Sequence, residues 1–303
     1  MFNDAALGKT LGILLWIFGI ILFFTVIIDY RNRRKRKYTG LGELWKRYLS
    51  FLVIAPTFIF FSYQGSPFFN FLVMGMACLY LREFFNISRV WQNKVYRWEG
   101  RIFSLLVLLG TLLENKFLFF RIPLVVIAIV LATPVFLRRP QDALRQTSVT
   151  IVGILYFGWM FSYLILLRQN FDFAGVIAVC ILITSNDVGC FWIGKILGRH
   201  KLIPQISPGK TIEGAIGGIL CTSLLALPFQ YAFSGFSRWH MIILGIVISV
   251  LGQIGDLVIS VIKRDMAVKD SGALIPGHGG MLDRFDSWIF SLPFIYYLLH
   301  FLK

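Results

Sequence analysis

"WHMIILGIVISVLGQIGDLVISVIKR", residues 239–264, is an apolar run that ends on Lys263 and Arg264 and carries one carboxylate, Asp256, inside it. About 20 apolar residues suffice for a transmembrane helix, so the stretch reads as a span with a cationic flank. Similar runs lie near 7–28, 48–63, 67–84, 102–114, 117–137, 148–167, 172–194, 214–234 and 286–302, which with 239–262 makes ten. Those at 48–63 and 102–114 are short enough to be half-helices or segments that dip into the membrane. Hydrophobic residues make up 57% of the 303-residue chain and charged ones 15%, with a mean hydropathy of +0.74. Ordinary globular chains carry roughly 25% charge, so a soluble domain is excluded. The expected fold is an all-α polytopic membrane protein, a bundle of about ten helices with a polar, cytoplasm-facing cavity formed by its C-terminal half. Residues 1–170 are expected to supply N-terminal membrane helices and 171–303 the catalytic membrane region of one integral unit.

Orientation follows from the cations. With the N-terminus outside, segments 29–47, 82–101, 138–147, 195–213 and 263–285 are cytoplasmic and hold most of the 30 Lys and Arg. Only Lys9, Lys116, Arg121, Arg168, Arg238 and Lys303 fall elsewhere. This is the positive-inside pattern, with both termini outside. The first run is too long for a signal-peptide core, lacks a small-residue cleavage motif, and is followed by "RNRRKRK", a flank that retains a helix. "RRKRK" at 33–37 reads as a topology anchor or as a contact for anionic lipid headgroups. Nucleic-acid binding is not expected, because the net charge of +15 sits on the loops of a lipid-embedded bundle. Cys78, Cys180, Cys190 and Cys221 lack the paired short spacing of a zinc site or disulfide framework and read as reduced packing residues.

Acids are scarce, and Asp187, Glu213, Asp256, Asp265, Asp270, Asp283 and Asp286 crowd the C-terminal part. Asp187 and Asp256 interrupt apolar runs, where a carboxylate costs about 2.5 to 3.5 kcal/mol on insertion scales and normally faces a polar cavity or partner. An interhelical hydrogen bond is the plainer reading for either one alone. On a helix, Asp256, Ser260, Lys263 and Arg264 fall along one face, and Asp283 and Asp286 share the first turn of the last run. Carboxylates suit Mg²⁺, and Lys and Arg suit phosphate oxygens. Acids for a metal beside bases for phosphate indicate phosphoryl or nucleotidyl transfer. "ISPGKTIEGAIGG", 206–218, adds Lys210 and a helix start that Ser207 or Thr211 caps, a place suited to phosphate. It is not a Walker A loop, since the position that must be Gly is Pro204. "PGHGG", 276–280, allows close backbone approach to a ligand. His278 within it reads equally as a proton relay or phosphate donor and as a residue that orients the loop.

The string "SVIKRDMAVKDSGALIPGHGGMLDRFD", 260–286, resembles the signature of the phosphatidate cytidylyltransferases, or CDP-diacylglycerol synthases. It runs Ser, then Lys-Arg, Lys-Asp, Pro-x-His-Gly-Gly and Asp-Arg-x-Asp in order and at the right spacing. The upstream "NDVGCFWIGKILGRHKLIPQISPGKTIEGAIGG" and the Gly255-Asp256 pair are similar to that family too, so the resemblance covers roughly 184–290. It implies an enzyme that converts CTP and phosphatidic acid to CDP-diacylglycerol and pyrophosphate with Mg²⁺, K⁺ sharing the metal site, at the cytoplasmic face of a bacterial inner membrane. Carried over by position, it implies Asp256, Asp283 and Asp286 for the metal, with Lys263 and Arg264 completing the catalytic set. Asp187, Ser207, Lys210, Ser260, Lys269, Asp270, His278 and Arg284 are implied on the substrate side. A homodimer paired through membrane helices is a further implication. Two positions depart from the family's pattern: Ile259 stands where an acid commonly precedes the signature Ser, and the seventh run reads "NDVGCFW". The alternatives are CTP-dependent transfer to another lipid phosphate or a polyprenol, and an ion-coupled transporter using Asp187 and Asp256. The transporter lacks the internal repeat expected of that class.

Overall fold

A computed structural model describes residues 8–15, 19, 22, 26, 43–88, 93–112, 116–272 and 280–303. Residues 8–15, 19, 22 and 26 are helical, and the other positions of the first expected span, the 31–37 cationic run and His278 lie outside the described residues. Downstream the chain folds into α1 (Glu43–Gln64), α2 (Phe68–Ile87), α3 (Lys94–Leu112), α4 (Lys116–Leu137), α5 (Ala143–Asn170), α6 (Phe173–Leu197), α7 (Ile212–Ala226), α8 (Arg238–Asp265) and α9 (Leu282–Leu302). The middle of α5, Ile154–Met160, is π-helical, and α7 runs on as a 3₁₀ turn, Leu227–Ala232. Among the described residues seven helices are long and apolar enough to cross a membrane: α2, α4 from Phe117, α5, α6, α7 with its 3₁₀ extension, α8 and α9. The protein is a multi-pass, all-α membrane protein.

The two short runs lie in helices that are not among those seven: the run at 48–63 is most of the 22-residue α1, and 102–112 belongs to the 19-residue α3. Both helices begin in polar, charged sequence that a hydropathy reading leaves out, since backbone hydrogen bonding continues through Lys94, Arg97 and Glu99 once the apolar part is helical. Helix α8, as long as α5, opens with a reciprocal cap in which the Ser237 side chain accepts from His240 N at 3.3 Å and the His240 ring accepts from Ser237 N. Its 28 residues span about 42 Å at 1.5 Å each.

In the C-terminal half α6 packs on α7, and α8 on both α7 and α9. Small residues let these helices meet closely, as in other membrane bundles. A Cβ on Gly218 of α7 would come within 2.8 Å of Asn186 Oδ1 on α6, and one on Gly255 of α8 within 2.9 Å of the Asp286 carbonyl on α9. Large apolar side chains such as Leu124, Val135 and Phe136 on α4 stay exposed, as a lipid-facing surface requires. The main buried cluster is continuous across both halves of the chain, with Phe69, Tyr80 and Phe84 of α2 packed together with Phe157, Phe161, Phe285 and Trp288.

Among the described residues one small sheet breaks the helical pattern. β1 (Lys201–Ile203) and β2 (Ser207–Thr211) form an antiparallel hairpin between α6 and α7, pairing Lys201 with Thr211 and Ile203 with Ser207. Ser207 is thus a strand residue, and the cap of α7 is Thr211, whose Oγ1 accepts from Gly214 N at 3.2 Å.

Candidate active site

The chemistry-bearing residues collect at one end of the bundle, where α2, α6, α8, the hairpin and the start of α9 meet. Asp256 projects from α8 one turn before Ser260, whose hydroxyl is 3.4 Å from Asp256 Oδ1. The other oxygen, Oδ2, takes Lys210 Nζ of β2 at 2.6 Å. The hairpin is fastened from the side by Glu213, whose carboxylate accepts from the backbone N–H of Arg199 and His200 and lies 2.6 Å from His200 Nδ1. Arg264 reaches the hairpin too, donating from Nε to the Ile206 carbonyl at 3.3 Å.

The single stripe expected along α8 therefore divides. Asp256 and Ser260 face Lys210, Arg264 turns to the hairpin, and Lys263 crosses to Asp283 with Nζ 2.7 Å from Oδ1. Asp283 and Asp286 do not share a helical face either. Phe285 between them has φ −122° and ψ 15°, a break in the first turn of α9. Asp283 Oδ2 accepts from Ser271 N at 2.9 Å, Ser271 Oγ at 3.0 Å and Gly280 N at 3.1 Å, so both its oxygens are engaged. Asp286 is buried, accepts from Ser287 N at 2.9 Å, and interacts electrostatically with Asp256 and Asp187. Asp187 on α6 accepts from Ser287 Oγ at 2.9 Å and from Asn186 Nδ2 at 3.2 Å.

The acids thus form two groups. Asp187, Asp256 and Asp286 share one electrostatic neighbourhood with Lys210 at its edge. Asp283 belongs to a second group with Lys263 and Ser271. Lys269 and Asp270 are exposed, and so is Arg284 at the start of α9. Among the described residues no three His, Cys, Asp or Glu side chains converge tightly enough to hold a metal unaided. Mg²⁺ ordinarily takes one or two carboxylates and completes its shell with water and phosphate oxygens. The hard oxygen donors of Asp187, Asp256 and Asp286 fit that habit.

Several partners escaped the sequence reading. Glu83, at the end of α2, is 6% exposed and accepts from Met281 N at 2.9 Å, Leu282 N at 2.8 Å and Ser271 Oγ at 3.0 Å. Asn186 Oδ1 accepts from Ser249 Oγ at 2.5 Å and Gln253 Nε2 at 3.3 Å, which ties α6 to α8 below the acids. Glu83 sits beside Arg82 at the edge of an apolar run, where it looks like flanking charge, and Asn186, Ser249 and Gln253 are uncharged, so none of the four stands out in the sequence. A cavity of about 700 Å³, lined by Arg168, Gln169, Phe119, Tyr296 and His300 among others, opens at the opposite end of the bundle and shares no residue with the acid groups.

Residues 45–302 match the model of the cytidylyltransferase family. The chain belongs to that family. It is 36% identical over 269 residues to a phosphatidate cytidylyltransferase of Bacillus subtilis (strain 168), covering 85% of this chain and 98% of that protein. It is 37% identical over 177 residues to one of Staphylococcus epidermidis (58% and 68%), and 44% identical over 154 residues to one of Staphylococcus aureus strain COL (50% and 56%). Within the family frame the departure at Ile259 has a plain structural setting: its side chain is fully buried in the core. The position is filled by packing, and the acids that this chain does carry lie elsewhere.

Proposed function

We propose that the protein transfers the cytidylyl group of CTP to phosphatidic acid, forming CDP-diacylglycerol and releasing pyrophosphate at the cytoplasmic face of a bacterial inner membrane. The observation that carries this reading is the gathering of Asp187, Asp256 and Asp286 with Lys210, and of Lys263 with Asp283, at one end of a cytidylyltransferase-family bundle. That end is the one the distribution of Lys and Arg assigns to the cytoplasm, where CTP is found. An oxygen of the lipid phosphate attacks the α-phosphorus of CTP; the bond from that phosphorus to the bridging oxygen breaks, and the electron pair leaves with pyrophosphate. The nucleophile is already an anion, so no general base or covalent enzyme intermediate is required.

Mg²⁺, with K⁺ as a second cation, would be held by Asp256 and Asp286 with Asp187 beside them, and supplies charge neutralisation to the phosphates when bound. The chain's own part is positioning and electrostatic stabilisation. Lys210 and Lys263 are paired with Asp256 and Asp283, and Arg264 stands on the hairpin next to them. Turning these cations toward CTP and lipid phosphate stabilises the charge that builds on the leaving group. Ser207, Ser260, Lys269, Asp270, His278 and Arg284 belong to the substrate side of the proposal, and pairing of two copies through membrane helices is part of it.

The test is pyrophosphate release by purified protein in liposomes, omitting CTP, Mg²⁺ or phosphatidic acid in turn. Release that needs all three, with a CDP-lipid product, is expected. Release with a different lipid phosphate, or formation of CDP in place of pyrophosphate, would replace the acceptor or the reaction. Asp286→Asn is expected to lower turnover by at least about 100-fold, the scale of removing one group that stabilises transition-state charge, while the protein still inserts and purifies.

A further inference from the structure

We propose that Glu83, from the N-terminal half of the chain, is a positioning residue for this reaction: its carboxylate fixes the start of α9 and thereby sets where Lys263, Asp283 and Asp286 stand relative to Asp256. The inference rests on the cytidylyl-transfer reading above. Its basis is a continuous set of contacts. One oxygen of Glu83 accepts from Met281 N at 2.9 Å, and the other from Leu282 N at 2.8 Å and Ser271 Oγ at 3.0 Å. The same Ser271 hydroxyl lies 3.0 Å from Asp283 Oδ2, and Asp283 Oδ1 holds Lys263 at 2.7 Å. A line of polar contacts thus runs from α2 through Ser271 and Asp283 to α8. Three residues earlier on α2, Tyr80 packs against Phe285, the residue at which α9 departs from helical geometry and which separates Asp283 from Asp286.

The chemistry of the helix start gives Glu83 a second effect. The first amides of a helix have no intrahelical acceptor and form its positive end, which makes such a terminus attractive to phosphate. At α9 the first of these, Leu282 N, and the amide of Met281 just before it are taken by the protein's own carboxylate. Substrate phosphates are left to Lys210, Lys263 and Arg264, away from a second anion site that would bind them out of register. The fit around Glu83 is close. A Cβ on Gly280 would stand 2.7 Å from Glu83 Oε2 and would also collide with Ser271 Oγ, and one on Gly272 would stand 3.1 Å from Oε1.

The experiment compares full-length wild type, Glu83→Gln, Glu83→Asp, Glu83→Ala and Gly280→Ala in liposomes, reading kcat, KM for CTP and for phosphatidic acid, and melting temperature. Glu83→Gln presents an amide N–H₂ to groups that all donate, so kcat is expected to fall about 10- to 100-fold, the range for residues that orient a site's ligands, with the melting temperature little changed. Glu83→Asp keeps the charge on a shorter arm and is expected to fold and to turn over at an intermediate rate. Added formate is expected to restore part of the Glu83→Ala activity by filling the vacated carboxylate position, and Glu83→Gln combined with Gly280→Ala should be no worse than the weaker single variant. Wild-type kcat in Glu83→Gln overturns the inference. So does loss of activity only in proportion to loss of folded protein, with no rescue by formate and a normal rate in Glu83→Asp. Failure of wild type itself to release pyrophosphate overturns the transfer reading and this inference with it.

Discussion

The Lys263–Asp283 pair shows what individual side chains contribute. Their side chains are 12% and 8% exposed, so each charge depends on the other for solvation. Removing one partner of a buried pair typically costs about 3–5 kcal/mol, because the other is left uncompensated. Lys263→Met is therefore expected to destabilise the protein strongly, and Lys263→Met with Asp283→Asn to recover part of the loss. Chemical denaturation of detergent-solubilised single and double variants should give a coupling of about 1–3 kcal/mol; strictly additive losses would mean that the two side chains act independently. Asp256 and Asp187 were legible in the sequence because a charge inside an apolar run is conspicuous. Glu83 was not, because it follows Arg82 at the edge of its run and so looks like ordinary flanking charge. Its role depends on Met281, Leu282 and Ser271, nearly two hundred residues away, and no local pattern encodes that.

Elements were legible in proportion to their length. From 48 onward nearly all the described residues of each apolar run are helical, because a long stretch of hydrocarbon-compatible side chain leaves the backbone no other way to satisfy its hydrogen bonds. The hairpin at 201–211 is too short and too rich in Pro and Gly for such a signal. The break at Phe285 escaped for a different reason: an i, i+3 spacing predicts a shared face only where the helix is regular, and tertiary contacts to α2 and to the 266–272 segment override it. Two outcomes follow at this scale. Glu213→Ala should loosen the hairpin, since it removes the acceptor of two backbone N–H groups, and protease added to the hairpin side of proteoliposomes should then cut within 198–206 faster than in wild type. Unchanged cutting would show that Arg264 and Lys210 suffice to hold the hairpin. Gly218→Val should force α6 and α7 apart where Asn186 binds α8, and overpacking of this kind costs typically 1–3 kcal/mol; a melting temperature equal to wild type would contradict the close approach.

For the molecule as a whole, orientation is the property that the sequence expresses most directly, through its cations. Lys269 is exposed at the acid end and Asn170 at the cavity end. In a background lacking the four native cysteines, Lys269→Cys is expected to react with a membrane-impermeant maleimide only in inverted vesicles, and Asn170→Cys only in right-side-out ones. Labelling of both from one side would refute the assigned topology. α2 of the 1–170 part packs directly on α9 of the 171–303 part, with Phe58 of α1 also set edge-on against Trp288 at 5.8 Å. Shared packing of this kind has a consequence for dissection of the chain. The link between α4 and α5 is short and surface-exposed, with Arg138 and Asp142 both at positive φ, and it is the natural place to cut the gene in two. Residues 1–140 and 141–303 made separately should each be degraded, whereas co-expression should let the fragments find one another in the bilayer and restore an active, co-purifying pair.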